Sequence, residues 1–343
     1  MKISTQHYRT LFFILGILTL GYMLYVMGLG VIWLNITKTG VWFIPVVGSW
    51  LLIYGLNALA FNAIIQDPEL PESKLPFRSI LRLTITGYAI NYITPFVALG
   101  GEPYRILELK PALGVQKATS SVLLYSLMHM FSHIIFWLVS IGLIVGFLPL
   151  TKPLLLGCAV LALAGLTLAY WFIRVYKKGF TVSTFQFLEK IPLVKKKAKA
   201  FAREKAESLA EIDQQIRVLY ADRKPRFYVS LGLEFVARVI GCLEIYFTAR
   251  ALDLDMSLVQ SLIVSSGSSL FANLVFFSPM QLGTREGGLA LALKWVGFPA
   301  AAGLFIGVVM RIRELVWILI GLVLLRITRA KTVSEPAELV TND

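Results

Sequence analysis

Long stretches of this chain carry no charge. Leu11–Leu34, Val41–Ile65, Leu83–Gly101, Ala118–Thr151, Pro153–Ile173 and Met256–Thr284 contain no Asp, Glu, Lys or Arg. A helix that spans a bilayer needs about 20 apolar residues. The pattern predicts spans over roughly 10–34, 41–65, 118–147, 153–173, 227–251 and 297–325. Trp33 and Trp42 flank the first short loop, as interface anchors do. Two further apolar segments, 83–101 and 256–284, run into glycine-rich polar motifs, GGEPYR and GTREGG.

Composition agrees with a membrane protein. Of the 343 residues, 57% are hydrophobic and 15% charged, where a soluble domain carries about 25% charged. The net charge of +13 fits the collection of Lys and Arg on the cytoplasmic side. No nucleic-acid module accompanies it, so no nucleic-acid partner is expected. Cys158 and Cys242 lie in apolar segments and read as buried free thiols. Lys2 and Arg9 precede a run too long for a signal peptide, so residues 1–9 read as a cytoplasmic N-terminus before the first span.

The one long hydrophilic stretch, 174–226, holds 14 Lys or Arg against 6 Asp or Glu, which places it in the cytoplasm. Within it Val194, Ala198, Phe201, Ala202, Leu209, Ile212, Ile216 and Leu219 recur at helical spacing. That predicts an amphipathic helix, either on the membrane surface or folded against the bundle. Residues 332–343 read as a disordered tail.

The basic loop fixes the number of crossings. If Lys2 and Arg9 are inside, two spans return the chain inside at 66–82. Three further crossings would put the basic loop outside, so segment 83–101 turns back. The same logic applies to 256–284, because Arg326, Arg329 and Lys331 end the last span on the inside. The expected fold is all-α and polytopic: six full transmembrane helices, two re-entrant hairpins of opposite direction, and one transmembrane domain over 10–331 with halves 10–173 and 227–331. Asn91, Thr94-Pro95, Gly100-Gly101-Glu102 and Arg105 correspond to Asn273, Ser278-Pro279 and Gly283 through Gly288, in the manner of inverted repeats.

Each motif is built to start a helix. Gly100 and Gly101 allow close approach, Glu102 suits the N-cap and Pro103 the first helical position. Arg105 shares a face with Glu102. Thr284, Arg285 and Glu286 offer the same parts. A helix that starts inside the membrane presents free N–H groups and a positive dipole end, which suit an anion. Gly100, Gly101, Glu102, Arg105, Thr284, Arg285, Glu286 and Arg311 are therefore the expected substrate-binding residues. The competing reading is charge pairing alone: Glu102 with Arg105, Arg311 with Glu314, Glu234 with Arg238. Against it stands the number of charges in apolar segments: Arg105, Arg238, Arg285, Arg311 and Arg313 with Glu102, Glu108, Glu234, Glu244, Glu286 and Glu314.

Other motifs carry less. His129 and His133 sit four apart, but Met130 stands where a metalloprotease needs Glu. Asp253-Leu-Asp255 fills a short external loop and reads as a solvated turn. No Walker motif is present, and no cofactor is expected.

The TP…GGEP-x-R and SP…GTREGG motifs, in this order across 10–327, resemble the lysylphosphatidylglycerol synthase transmembrane-region family of flippase-like membrane proteins. The resemblance implies movement of aminoacylated phospholipid between leaflets, with relatives linked to glycolipid or polyprenyl-phosphate pathways. It implies a lipid-handling role for Gly101, Glu102, Arg105, Arg285 and Glu286. Family members often carry a soluble lysyl-transferring domain. None is expected here; if the chain is an enzyme, the resemblance implies a phosphatidylglycerol lysyltransferase-like one by family name only. The expected function is lipid translocation at the inner membrane, with both termini cytoplasmic. The alternatives are a membrane-embedded lipid-phosphate transferase, with Glu102 or Asp253 and Asp255 as candidate bases, and a scaffold that docks a cytoplasmic enzyme through loop 174–226.

Overall fold

A computed structural model describes residues 5–67, 70–94, 100–178, 195–221, 223–274 and 283–333. Lys2, Pro95, Ser278, Pro279 and the end of the tail lie outside the described residues. The described chain is helical, with a single isolated bridge between Asp67 and Leu70. The helices are α1 (Thr5–Met27), α2 (Leu29–Thr39), α3 (Phe43–Ile65), α4 (Phe77–Ile93), α5 (Gly101–Phe147), α6 (Lys152–Lys178), α7 (Lys195–Glu204), α8 (Ala206–Ala221), α9 (Lys224–Arg250), α10 (Leu258–Leu274), α11 (Thr284–Trp295) and α12 (Ala302–Val333). Among them, Thr10–Met27, Leu29–Ile65, Gly101–Phe147 and Lys152–Arg174 are long and apolar enough to cross a membrane. Helices α9 and α12 are as long but carry buried charge.

The first predicted span is two helices. Gly28, at φ 76°, breaks it, and both pieces line α12 in antiparallel sense. The Arg326 guanidinium lies 4.0 Å over the Phe13 ring, Gly16 abuts Leu322, and Lys38 lies 4.9 Å over the Phe305 ring. Gly40, at φ 57°, then turns the chain into α3. Helix α3 runs antiparallel to α9, its most extensive neighbour. Trp42 stacks on Phe247 at 5.9 Å near one end, and Arg226 donates to the Gln66 carbonyl at the other.

Gly114 breaks α5 (φ 75°, ψ 170°) into a short piece, 101–113, and a long one, 115–147; these are α5a and α5b below. The two halves of the molecule then match piece by piece. Helix α4 has 17 residues, followed by a break, a short helix, a glycine at positive φ and a long helix. Helix α10 also has 17 residues, followed by a break, the 12-residue α11, Gly297 at φ 88° and the 32-residue α12. The halves interlock: α4 packs on α12, and α10 packs on α5.

Both short pairs are hairpins. A Cβ on Gly101 would lie 2.3 Å from the Gly87 carbonyl oxygen, and one on Gly288 would lie 3.1 Å from the Phe271 Cβ. These contacts make α5a antiparallel to α4, and α11 antiparallel to α10. At 1.5 Å per residue a 17-residue helix is about 25 Å long, short of the ~30 Å hydrocarbon core.

The amphipathic pattern of the basic loop appears as α7 and α8. Helix α8 is folded against the bundle: Ile212, Ile216 and Leu219 are buried in the main core, and Ser120 donates to Gln215.

The tightest crossing between the halves is Gly321 of α12 on Ala89 of α4, where an added Cβ would stand 2.3 Å from the Ala89 Cβ. Gly321→Val is expected to lower stability by about 1–3 kcal/mol through overpacking. Thermal unfolding in detergent checks this, and an unchanged midpoint would contradict the crossing.

Candidate functional site

Both hairpin tips lead into networks of buried charge. At the first tip α5a begins at Gly101, so Glu102 and Pro103 are its second and third residues rather than the cap and the first. Pro103 still falls among the positions whose N–H has no helical partner. The Gly101 N–H donates to the Asn91 side-chain oxygen (2.7 Å), the Asn91 amide donates to Glu102 (3.3 Å), and Arg105 Nη1 donates to Glu102 (3.4 Å).

Arg105 is 1% exposed. Its guanidinium lies 4.9 Å from the Tyr88 ring and 5.4 Å from the Tyr125 ring, within cation–π range. Gly87 makes room for it, since a Cβ there would be 2.4 Å from Nε. Arg105 Nε and Nη2 have no hydrogen-bond partner, and neither does Glu102 Oε2. Buried donors in this condition are unusual and point to a missing partner.

The second tip is tied to α12. Gly283, at φ 78°, precedes Thr284, the first residue of α11. Glu286 accepts the Gly283 N–H (2.9 Å) with one oxygen and Arg311 Nε (2.7 Å) with the other. Arg285 donates to Glu314. Arg311 and Glu314, which spacing placed as neighbours on one helix, thus each meet a residue of α11. Arg313 takes Glu244 of α9 with two bonds (2.7 and 3.0 Å), lies 3.6 Å over the Trp50 ring, and approaches Glu314 (3.9 Å). Trp50 Nε1 also donates to Glu244 (3.0 Å).

Several partners near the first tip went unrecognised in the sequence. Glu234 of α9 meets Arg238 at 3.8 Å, but its closer partner is His129 Nδ1 at 2.7 Å. The Tyr88 hydroxyl lies 3.2 Å from the same nitrogen and 3.1 Å from the Tyr125 hydroxyl. Arg238 donates to Ser132, to His133 Nε2 and to the His129 carbonyl, each at 2.6 Å. The signal was present as two i,i+4 pairs, His129–His133 and Glu234–Arg238. What spacing could not give was that they face one another.

The ion pairs beside the two helix starts balance: Arg105–Glu102 and Arg238–Glu234, linked through Tyr88 and His129, form one set, and Arg285, Arg311 and Arg313 with Glu244, Glu286 and Glu314 form the other. Glu108 lies half-buried one turn beyond Arg105. A cavity of about 180 Å³ sits elsewhere, at the α8 end of α5b. There Asp67 bridges Lys117 (2.9 Å) and Arg223 (2.7 Å). Asp253 lies in a tight turn, and Asp255 is exposed and meets Arg250 at 3.2 Å, which is a solvated turn.

Long apolar helices that enclose neutral sets of buried charge define a polytopic helical membrane protein with a polar interior. The chain belongs to the lysylphosphatidylglycerol synthase transmembrane-region family, whose model, described as Lysylphosphatidylglycerol synthase TM region, matches residues 11–321. Comparisons with curated proteins and with solved structures return no match.

Arg313→Leu leaves Glu244 buried with only the Trp50 donor and is expected to cost about 3–5 kcal/mol. Adding Glu244→Leu should recover much of that loss, as read by denaturant or thermal unfolding. Gly87→Ala should leave the fold intact but displace Arg105, and abolish whatever ligand binding depends on it.

Proposed function

We propose that this protein is a lipid translocase of the inner membrane that holds a phospholipid or polyprenyl-phosphate headgroup at its two hairpin tips. The observation that carries the reading is Arg105, enclosed at the start of a half-helix with two donors unmatched. A phosphate oxygen is the acceptor such a fork suits, and the free amides of the helix start favour the same charge.

In this reading six helical stretches cross the bilayer and the hairpins are re-entrant. Loop 174–226 and both termini face the cytoplasm, and the tips meet at mid-depth. Matched halves with opposed hairpins suit alternating access, in which one half rocks against the other around a central site. Arg285 and Arg311 already hold carboxylates of the protein. At the second tip, then, the headgroup exchanges for Glu286 or Glu314 rather than meeting bare cations. The acyl chains stay in the lipid. A transferase built on Asp253 and Asp255 draws no support from an exposed turn.

The test is flipping of a fluorescent phospholipid in proteoliposomes, read by protection from an external quencher. Arg105→Ala and Arg285→Ala should abolish flipping while the protein still expresses and inserts. Asp255→Ala should flip normally. Normal flipping by both arginine variants would remove these roles.

A further inference from the structure

The charge balance around the first tip restricts what can bind there. Arg105 and Arg238 are matched by Glu102 and Glu234. An anion docked at Arg105 adds one negative charge to a balanced set in which Arg105 and Glu234 are buried and Arg238 and Glu102 are 11% and 19% exposed. An uncompensated charge in a low-dielectric interior is strongly unfavourable. The charge must arrive with a partner, either on the ligand or on the protein.

The protein offers a place for it. His129 faces Glu234 of α9 at 2.7 Å and Tyr88 of α4 at 3.2 Å. On its own helix it meets the Tyr125 and His133 rings at 6.2 and 5.5 Å, and Arg238 of α9 reaches its backbone carbonyl. From α5a, Arg105 lies behind the Tyr88 and Tyr125 rings. From α3 come Asn57, which donates to Tyr88 (3.3 Å), and Tyr54, whose ring lies 5.5 Å from the Tyr88 ring; both are uncharged. From α10 comes the equally uncharged Ser269, bound to Trp137 (3.4 Å). Imidazole is the side chain whose ordinary range lets it change charge between pH 5 and 8.

The two histidines are not equivalent. His133 Nε2 accepts from the Arg238 guanidinium, so a cation already fills the place of its proton. His129 instead has a carboxylate beside it. Glu234 Oε1 is buried with no partner, so the pair has room for a proton on either member. Tyr88 joins this pair to the rings around Arg105.

We propose that the His129–Glu234 pair takes up one proton each time an anionic phosphodiester headgroup docks at Arg105, so that headgroup and proton are bound together. This rests on the headgroup reading above. Binding that takes up a proton strengthens as pH falls, by up to about tenfold per pH unit for one proton. By reciprocity the bound headgroup raises the proton affinity of the pair by the same factor. A proton gradient could thereby bias the direction of lipid movement.

The test is calorimetric titration of the detergent-solubilised protein with short-chain phosphatidylglycerol. Run at pH 7 in two buffers of different ionisation enthalpy, it counts protons directly. Phosphatidylglycerol should take up about one proton per lipid. Phosphatidylcholine, whose choline carries its own compensating charge, should take up none. His129→Gln should lose the uptake. Glu234→Gln should lose both the uptake and the pH dependence, and should bind phosphatidylglycerol more tightly than wild type at pH 8, because its set is already one charge positive. Phosphatidylglycerol bound by wild type without proton uptake would overturn the proposal, a result that needs no variant to fold. Uptake that persists in a folded variant of either residue would overturn it too. If neither lipid binds, the headgroup reading itself falls and this inference with it.

Discussion

Charge buried where water is scarce must be matched nearby, and this molecule is arranged around that requirement. Its described interior brings five arginines into contact with five glutamates, drawn from helices far apart in sequence. Arg313 and Glu244 are each 1% exposed and 69 residues apart. Removing either would leave the other as a buried, unmatched charge. The helices that carry these residues are thus held in register by charge as much as by apolar packing. Trp50, Tyr54, Tyr88 and Trp317 fill the space between the sets with aromatic faces.

Pairing alone would make an inert core. Two features keep this one from being so. Four of its charges, Glu102, Arg105, Arg285 and Glu286, lie near the starts of short helices, and the others lie on α9 and α12. Within the first set, donors on Arg105 and acceptor oxygens on Glu102 and Glu234 remain unmatched. The second set is more fully satisfied among its own members. The two helix starts, alike in backbone, therefore differ in how many of their polar atoms are matched.

The interlocking of the halves has a mechanical consequence. Each hairpin's first helix packs against the long helix of the opposite half. The close contact of Gly321 on Ala89 leaves little slack where α12 crosses α4, and Gly101 on Gly87 does the same within the first pair. At the far end α8 and the Asp67 bridges to Lys117 and Arg223 tie the loop side of the bundle into one block.

Much of this was legible in the chain. Uninterrupted apolar runs give transmembrane helices, because lipid leaves the backbone no other partner. The apolar segments that form α4 and α10, each ahead of a glycine-rich motif, could be read as a repeated unit from the chain alone, and each gives a helix of 17 residues. GGEPYR and GTREGG marked helix starts to within a residue or two. Sequence could also say that Glu102 and Arg105 share a face, since helical spacing is local. It could not say whom Arg311, Glu314, Glu234 or Arg238 would meet. Spacing supplied a neighbour on the same helix for each, and in three dimensions the closer partners were Glu286, Arg285, His129 and His133. Helical period fixes which face a residue occupies; only the packing of one helix against another decides what that face confronts.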